Sequence, residues 1–224
     1  MSRLEKMIEE IEYLLFDLDG TLIDTTDLIL HAFHETFRIA RIPAPDDEVL
    51  LSQIGRPLHL QMQDFDCMRA AELYALYQKI YDEYHDEMAR SFPGVKEVVE
   101  ELKFRGYKLG IVTSKRIFTA RKELQYFKME NQFEIIIAAE DTHRHKPDPA
   151  PLLDAMVKLG ASPEQTTYIG DTPYDLGCAH GAGVLAGAVM WGPFAREILE
   201  KEKPDYWLES PSSLLKFFPG PPGG

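Results

Sequence analysis

The chain has 224 residues, 45% of them hydrophobic and 27% charged, which are ordinary globular proportions. They exclude a disordered chain, a collagen-like fibre and a disulfide mini-protein. Its 24 basic and 37 acidic residues leave a net charge of −13. Such a surface repels phosphate backbones and anionic lipid, so neither nucleic acid nor a membrane is an expected partner; a small anion held with a metal cation's help stays compatible.

The N-terminus, MSRLEKMIEEIEY, is charged throughout and has no apolar signal core. With no apolar run of about 18 residues either, the expected location is cytoplasmic. Cys67 and Cys178 form no CxxC pair, which fits a reducing compartment and gives no sign of structural zinc or a disulfide framework. Leu4, Met7, Ile8 and Ile11 have helical spacing and predict a short amphipathic helix.

Tyr13-Leu14-Leu15-Phe16 then reads as a buried strand ending at Asp17. From Asp24 to Phe92 no strand is convincing. Leu28, Ala32, Phe33 and Phe37 have helical spacing, Pro43 and Pro45 break it, and Leu73, Tyr74, Tyr77, Tyr81, Tyr84 and Met88 restore it. This predicts an all-helical insertion over 25–92, with the aromatic stripe as a packing face.

Beyond it, strands and helices alternate. A helix carrying Val95, Val98, Val99 and Leu102 stops at Gly106, and a strand runs from Lys108 to Val112. A helix over Phe118 to Phe127 precedes a strand from Glu134 to Ala138. A helix from Ala150 to Leu159 precedes a strand from Thr167 to Ile169, and a helix from Tyr174 to His180 precedes a strand from Ala186 to Met190. The alternation predicts an α/β fold with a doubly wound parallel sheet, built from 1–24 and 93–224. The Pro219–Gly224 tail is expected to be loose.

In such sheets function collects at the carboxyl ends of the strands. The first strand is followed by Asp17-Leu18-Asp19-Gly20-Thr21, and the second by Thr113-Ser114-Lys115. The third leads to Lys146-Pro147, and the fourth to Gly170-Asp171 with Asp175 in the next turn. Carboxylates converging on one pocket repel and would protonate unless neutralised, which a hard dication such as Mg2+ does through oxygen ligands. The lysine and hydroxyl groups suit phosphate oxygens, so the set reads as a phosphoryl-transfer site. Taken singly, each member has a plainer reading: Asp19-Gly20 as a turn, Asp171 as a helix cap.

DLDGT, Thr113, Lys146-Pro147 and the GDxxxD of Gly170 to Asp175, in that order, resemble the haloacid dehalogenase superfamily, and the helical insert resembles the cap of its C1-capped phosphatases. The resemblance runs from about Leu14 to Leu215 and implies roles. Asp17 is the nucleophile that forms an aspartyl-phosphate, and Asp19 is the acid and base. Thr113 and Lys146 bind the phosphoryl group, and Mg2+ is held by Asp17, Asp171 and the backbone carbonyl of Asp19, with Asp175 orienting that shell. Asp at position 19 implies a phosphatase or phosphomutase rather than a dehalogenase. A phosphomutase would share every catalytic residue. A non-catalytic phosphate-sensing module is the third reading, although none of its carboxylates has been lost.

The partner expected is a small-molecule phosphate. Arg56, in Ile54-Gly55-Arg56-Pro57-Leu58, resembles part of a substrate-specificity loop, and a surface arginine at a helix start is the equal alternative. Ser114 and Lys115, beside Thr113, are expected to bind substrate, and the basic pair Lys115 and Arg116 to favour a substrate with two anionic groups, such as pyrophosphate or phosphoglycolate. IGRPL, KLGIVTSK and Pro204-Asp205-Tyr206 resemble the phosphoglycolate phosphatase group and, within it, the inorganic pyrophosphatases of the superfamily. Other signals carry less. Gly181 to Ala186 matches GxGxxA, but in the order helix then strand, the reverse of a dinucleotide site. Asp141, His143 and His145 read as solvated loop residues, and Cys178 as a buried inert thiol.

Overall fold

The computed structural model of the chain describes residues 3–221. Helix α1 (Arg3–Glu9) leads into β1 (Tyr13–Phe16). A two-residue strand β2 (Ile23–Asp24) precedes α2 (Thr26–Ala40), α3 (Asp47–Ser52), α4 (Leu58–Phe65) and α5 (Ala70–Met88), and β3 (Arg90–Ser91) follows them. The chain continues through α6 (Val95–Phe104), β4 (Lys108–Val112), α7 (Ile117–Tyr126), β5 (Ile135–Ile137), α8 (Ala150–Leu159) and β6 (Thr166–Gly170). It ends with α9 (Pro173–Ala182), β7 (Leu185–Val189), α10 (Arg196–Leu199), β8 (Tyr206–Leu208) and α11 (Leu214–Phe217).

The main sheet has six strands in the order β5-β4-β1-β6-β7-β8, all paired in parallel. The direction of winding reverses at β1, which lies between β4 and β6; that reversal opens a crevice at the strands' carboxyl ends. Both faces are covered, so alternate side chains of one strand enter different cores. Leu14 and Phe16 of β1, with Leu109, Ile111 and Ile169, join the cluster that includes Val99 and Leu102 of α6. Leu15, Val112 and Tyr168 join the other, with Leu152 of α8 and Leu176 of α9. This two-sided burial explains why the strands read as unbroken apolar runs.

The sheet differs from the sequence reading at two places. Tyr206–Leu208 forms a sixth strand beside β7. At three residues it is too short to display a period. The stretch from Asp24 to Phe92, read as free of strand, contributes Asp24, Arg90 and Ser91 to an antiparallel ribbon with Ile23. Pairing the chain's exit with its return brings the two ends of the helical insertion together.

Helices α2 to α5 bury their own cluster, including Leu28, Phe33, Phe37, Leu50, Met62, Leu73 and Ile80. Phe33 packs on Tyr77 at 4.8 Å between ring centroids, and Phe37 meets Phe65 edge-on at 5.2 Å. In the described part of the tail, the Gly220 amide donates to the Tyr107 hydroxyl at 3.1 Å. Residues 222–224 of the tail lie outside the described residues. Among the described residues no helix is long and apolar enough to cross a membrane.

Candidate active site

Asp17 follows the last residue of β1, the central strand, and its amide donates to the Ile169 carbonyl of β6 at 2.9 Å. Asp171 follows β6, and Thr172 is the N-cap of α9. The cap is reciprocal: the Asp175 amide donates to Thr172 Oγ1, and Thr172 N and Oγ1 donate to Asp175 Oδ2 at 3.0 and 2.7 Å. Asp171 is therefore not the cap, and its carboxylate is left for the site.

Lys146 fills the space between the two acidic ends. Its ammonium lies 2.9 Å from Asp17 Oδ1 and 2.6 Å from Asp175 Oδ1, and donates to the Tyr168 hydroxyl at 3.1 Å. Tyr168 in turn donates toward the Val112 carbonyl and Asp175 Oδ1. Both oxygens of Asp175 thus have protein donors, so it acts here as the strut that fixes Lys146 and the α9 terminus. Burial works against the charge on Lys146, and Asp17 and Asp175 more than offset it, holding the ammonium above the ordinary lysine range.

Oxygens of Asp17, Asp171 and Asp175 come within 4.8 Å of one another, and all three residues are buried. Burial, with Asp175 nearby, pushes Asp17 up to about 7 against the opposing pull of Lys146. Burial and the neighbouring Asp175 and Asp17 push Asp171 well above the carboxylate range. Asp171 Oδ1 accepts from Thr21 Oγ1 at 2.8 Å, while Oδ2 is buried with no hydrogen-bond partner. An orphaned carboxylate oxygen among strained carboxylates fits a hard divalent cation. Gly20 makes this approach possible. Its φ is +75°, and a Cβ there would sit 2.3 Å from Asp171 Oδ2.

These groups predict a pH-dependent metal response. Asp17 and Asp171 both hold protons well above the unfolded carboxyl value, so a cation must displace protons as pH falls through about 7. Magnesium at about 100 times its Kd is expected to stabilise by about 2.7 kcal/mol at pH 8, a rise in Tm of roughly 5–10 °C. The rise should shrink sharply at pH 5.5. Equal shifts at both pH values in a thermal melt would contradict the assignment.

The remaining sequence-named residues stand around this centre. Thr113, 5% exposed, follows β4 and is held by its amide on the Ile137 carbonyl at 2.9 Å. Ser114 donates to the Gly55 carbonyl of the helical insertion at 2.6 Å. Arg56 lines the cleft and is held by Gln53 and, at 2.7 Å, Asp64. Asp19 Oδ1 accepts from Thr25 and, at 2.5 Å, from Lys115. A cleft between the strand ends and the insertion exposes Asp17, Asp19, Thr113 and Arg56 to one space. Tyr74, Tyr77 and Tyr81 also line it, so part of the aromatic stripe faces the cleft as well as the packing core.

Two of the discounted signals can be placed. Asp141 accepts from the Ala138 amide at 2.8 Å, and His145 lies against His59 of the insertion. Burial pushes the Cys178 thiol up to about 12, which keeps it protonated. The sequence reading missed Glu123, whose carboxylate is fully buried beside Lys115. Its signal was present: Ala120, Glu123 and Leu124 share the buried face of α7, where a carboxylate demands a partner.

The fold and this arrangement match known proteins. Residues 14–189 match the model of the haloacid dehalogenase-like hydrolases. The pyrophosphatase PpaX of Bacillus mycoides is 37% identical over 206 residues, covering 92% of this chain and 96% of that protein. A haloacid dehalogenase-like family hydrolase from Streptococcus pneumoniae superposes with a TM-score of 0.82 at 28% identity, over 93% of this chain and 99% of that one. A predicted phosphoglycolate phosphatase from Haemophilus somnus superposes with a TM-score of 0.80 at 25% identity, over 92% and 97%. The chain belongs to the haloacid dehalogenase-like hydrolases. It is an enzyme of that family, a phosphatase by the resemblance of its motifs and its relatives.

Proposed function

We propose that the protein hydrolyses a small phosphate compound through an aspartyl-phosphate on Asp17, with inorganic pyrophosphate as the first candidate substrate and phosphoglycolate as the second. The observation that carries the chemistry is the buried group of Asp17, Asp171 and Lys146, of which Asp17 lines the same cleft as Asp19 and Thr113. The pyrophosphatase name of the Bacillus mycoides relative, similar over nearly the whole chain, supports the first substrate. Arg56 and Arg116, held by Asp64 and Glu140, line the same cleft and are the cations we assign to a second anionic group.

The reaction divides into two displacements. A carboxylate oxygen of Asp17 attacks phosphorus, the bond from phosphorus to the leaving oxygen breaks, and that oxygen takes the proton of Asp19. Water then attacks the aspartyl-phosphate, Asp19 takes the water's proton, and the bond from phosphorus to Asp17 breaks to release inorganic phosphate. Lys146 and the Thr113 hydroxyl hold the phosphoryl oxygens in line. Asp17, Asp171 and the backbone carbonyl of Asp19 would hold magnesium, and Asp175 keeps the surrounding groups in place. When bound, magnesium neutralises the converging carboxylates and phosphoryl oxygens. Residues 25–92 form a cap that closes over the cleft, turning about the β2–β3 ribbon.

Phosphate release across pyrophosphate, phosphoglycolate, sugar phosphates, nucleotides and an aryl phosphate tests the reading. The expected result is magnesium-dependent release, abolished by EDTA, with pyrophosphate preferred. No release from any compound by folded, magnesium-loaded protein would overturn it.

A further inference from the structure

Lys115 was expected to bind substrate, yet its ammonium is surrounded by protein atoms. It lies 2.5 Å from Asp19 Oδ1, 2.7 and 2.8 Å from the oxygens of Glu123, and 2.9 Å from the Tyr81 hydroxyl. It also sits over the Tyr81 ring, 4.9 Å from the centroid. Glu123 belongs to α7 of the sheet domain and Tyr81 to α5 of the insertion, and the Tyr81 hydroxyl donates to Glu123 Oε1 at 2.6 Å. A buried ion pair is costly unless its remaining hydrogen-bonding capacity is met. Here the insertion supplies part of what meets it.

We propose that Lys115, Glu123 and Tyr81 form a positioning unit that sets the Asp19 carboxylate for proton transfer and completes itself only when α5 is docked on the sheet domain. The proposal rests on the acid–base role given to Asp19 above. Lys115 and Thr25 both engage Oδ1, which leaves Oδ2 as the oxygen for proton transfer. Glu123 fixes Lys115 from behind. Lifting α5 away would remove the Tyr81 hydroxyl, expose the ion pair to water and release the restraint on Asp19. Cap closure and acid–base competence are thereby one event, which protects the aspartyl-phosphate from premature chemistry while the cleft is open.

The two half-reactions separate this role from a merely structural one. p-Nitrophenolate leaves without needing a proton, so forming the aspartyl-phosphate from p-nitrophenyl phosphate barely depends on Asp19. Hydrolysing it does depend on Asp19 as base. Tyr81→Phe and Glu123→Gln are the variants, each conservative in shape. Stopped-flow nitrophenolate release with magnesium should show a first turnover within about twofold of wild type, followed by a steady-state rate about 10- to 100-fold lower, giving a burst of one equivalent. Turnover of an alkyl phosphate should fall by a similar factor with KM little changed.

The double variant Lys115→Met/Glu123→Gln, which removes both charges of the Lys115–Glu123 pair and leaves Thr25 as the donor to Asp19, should show the same split if the single variants unfold. First turnover and steady state falling together, or neither falling, would overturn the proposal while leaving the hydrolase reading intact. A wild-type chain that releases no nitrophenolate would overturn both.

Discussion

Asp17→Asn is expected to reduce phosphate release by about 10⁴-fold or more while leaving the fold intact. The amide keeps the shape of the carboxylate but offers no charged oxygen to attack phosphorus. Stability should not suffer, because Lys146 keeps Asp175 and Tyr168, and the crowd of buried carboxylates around Asp171 loses one member. Magnesium should raise the Tm of the variant less than that of wild type, since one of its ligands has gone. Phosphate release and a thermal melt with and without magnesium measure both effects. Near-wild-type turnover in the magnesium-loaded variant would remove Asp17 as nucleophile.

The strand ends were legible in the sequence because a doubly wound sheet makes them so. Strands buried on both faces appear as short apolar runs, and the residue after each run is the one delivered to the crevice. That rule alone led to Asp17, Thr113 and Asp171, and the structure places them together at the reversal of winding. What escaped was set by tertiary contact. The β2–β3 ribbon consists of two residues on each side of a long helical insertion, and nothing local announces that Ile23 will pair with Ser91. β8 is three residues long.

The division of labour among the acidic residues was legible only in part. Asp171 and Asp175 look equivalent in GDxxxD, four residues apart. They differ because Thr172 caps α9 and draws Asp175 into the helix terminus, while Asp171 retains a bare oxygen. Lys115 and Lys146 also look alike, as lysines following strand ends. One meets Asp17 and Asp175, and the other meets Glu123 from a helix and Tyr81 from the insertion. Composition and spacing carry no record of those partners.

Lys146→Met should cause the largest loss of stability of any single change at the site. The ammonium and both carboxyls it faces are almost wholly buried, and removing the cation leaves each of them, about 3 Å from where it stood, either charged without its ion-pair partner or forced to take up a proton. Breaking such a pair costs about 3–5 kcal/mol, which for a chain of this size lowers Tm by roughly 6–20 °C. Activity should also vanish, because the phosphoryl oxygens lose their cation. The decisive comparison is with Asp17→Asn/Lys146→Met in EDTA. Asp175 still has Thr172 and Tyr168 as donors, so removing the Asp17 charge should recover more than half of the lost stability. The two substitutions would then be strongly non-additive, as expected for charges in direct contact. Additive losses in the melts would mean that Lys146 stabilises the fold through its packing, and that its charge is not what Asp17 requires.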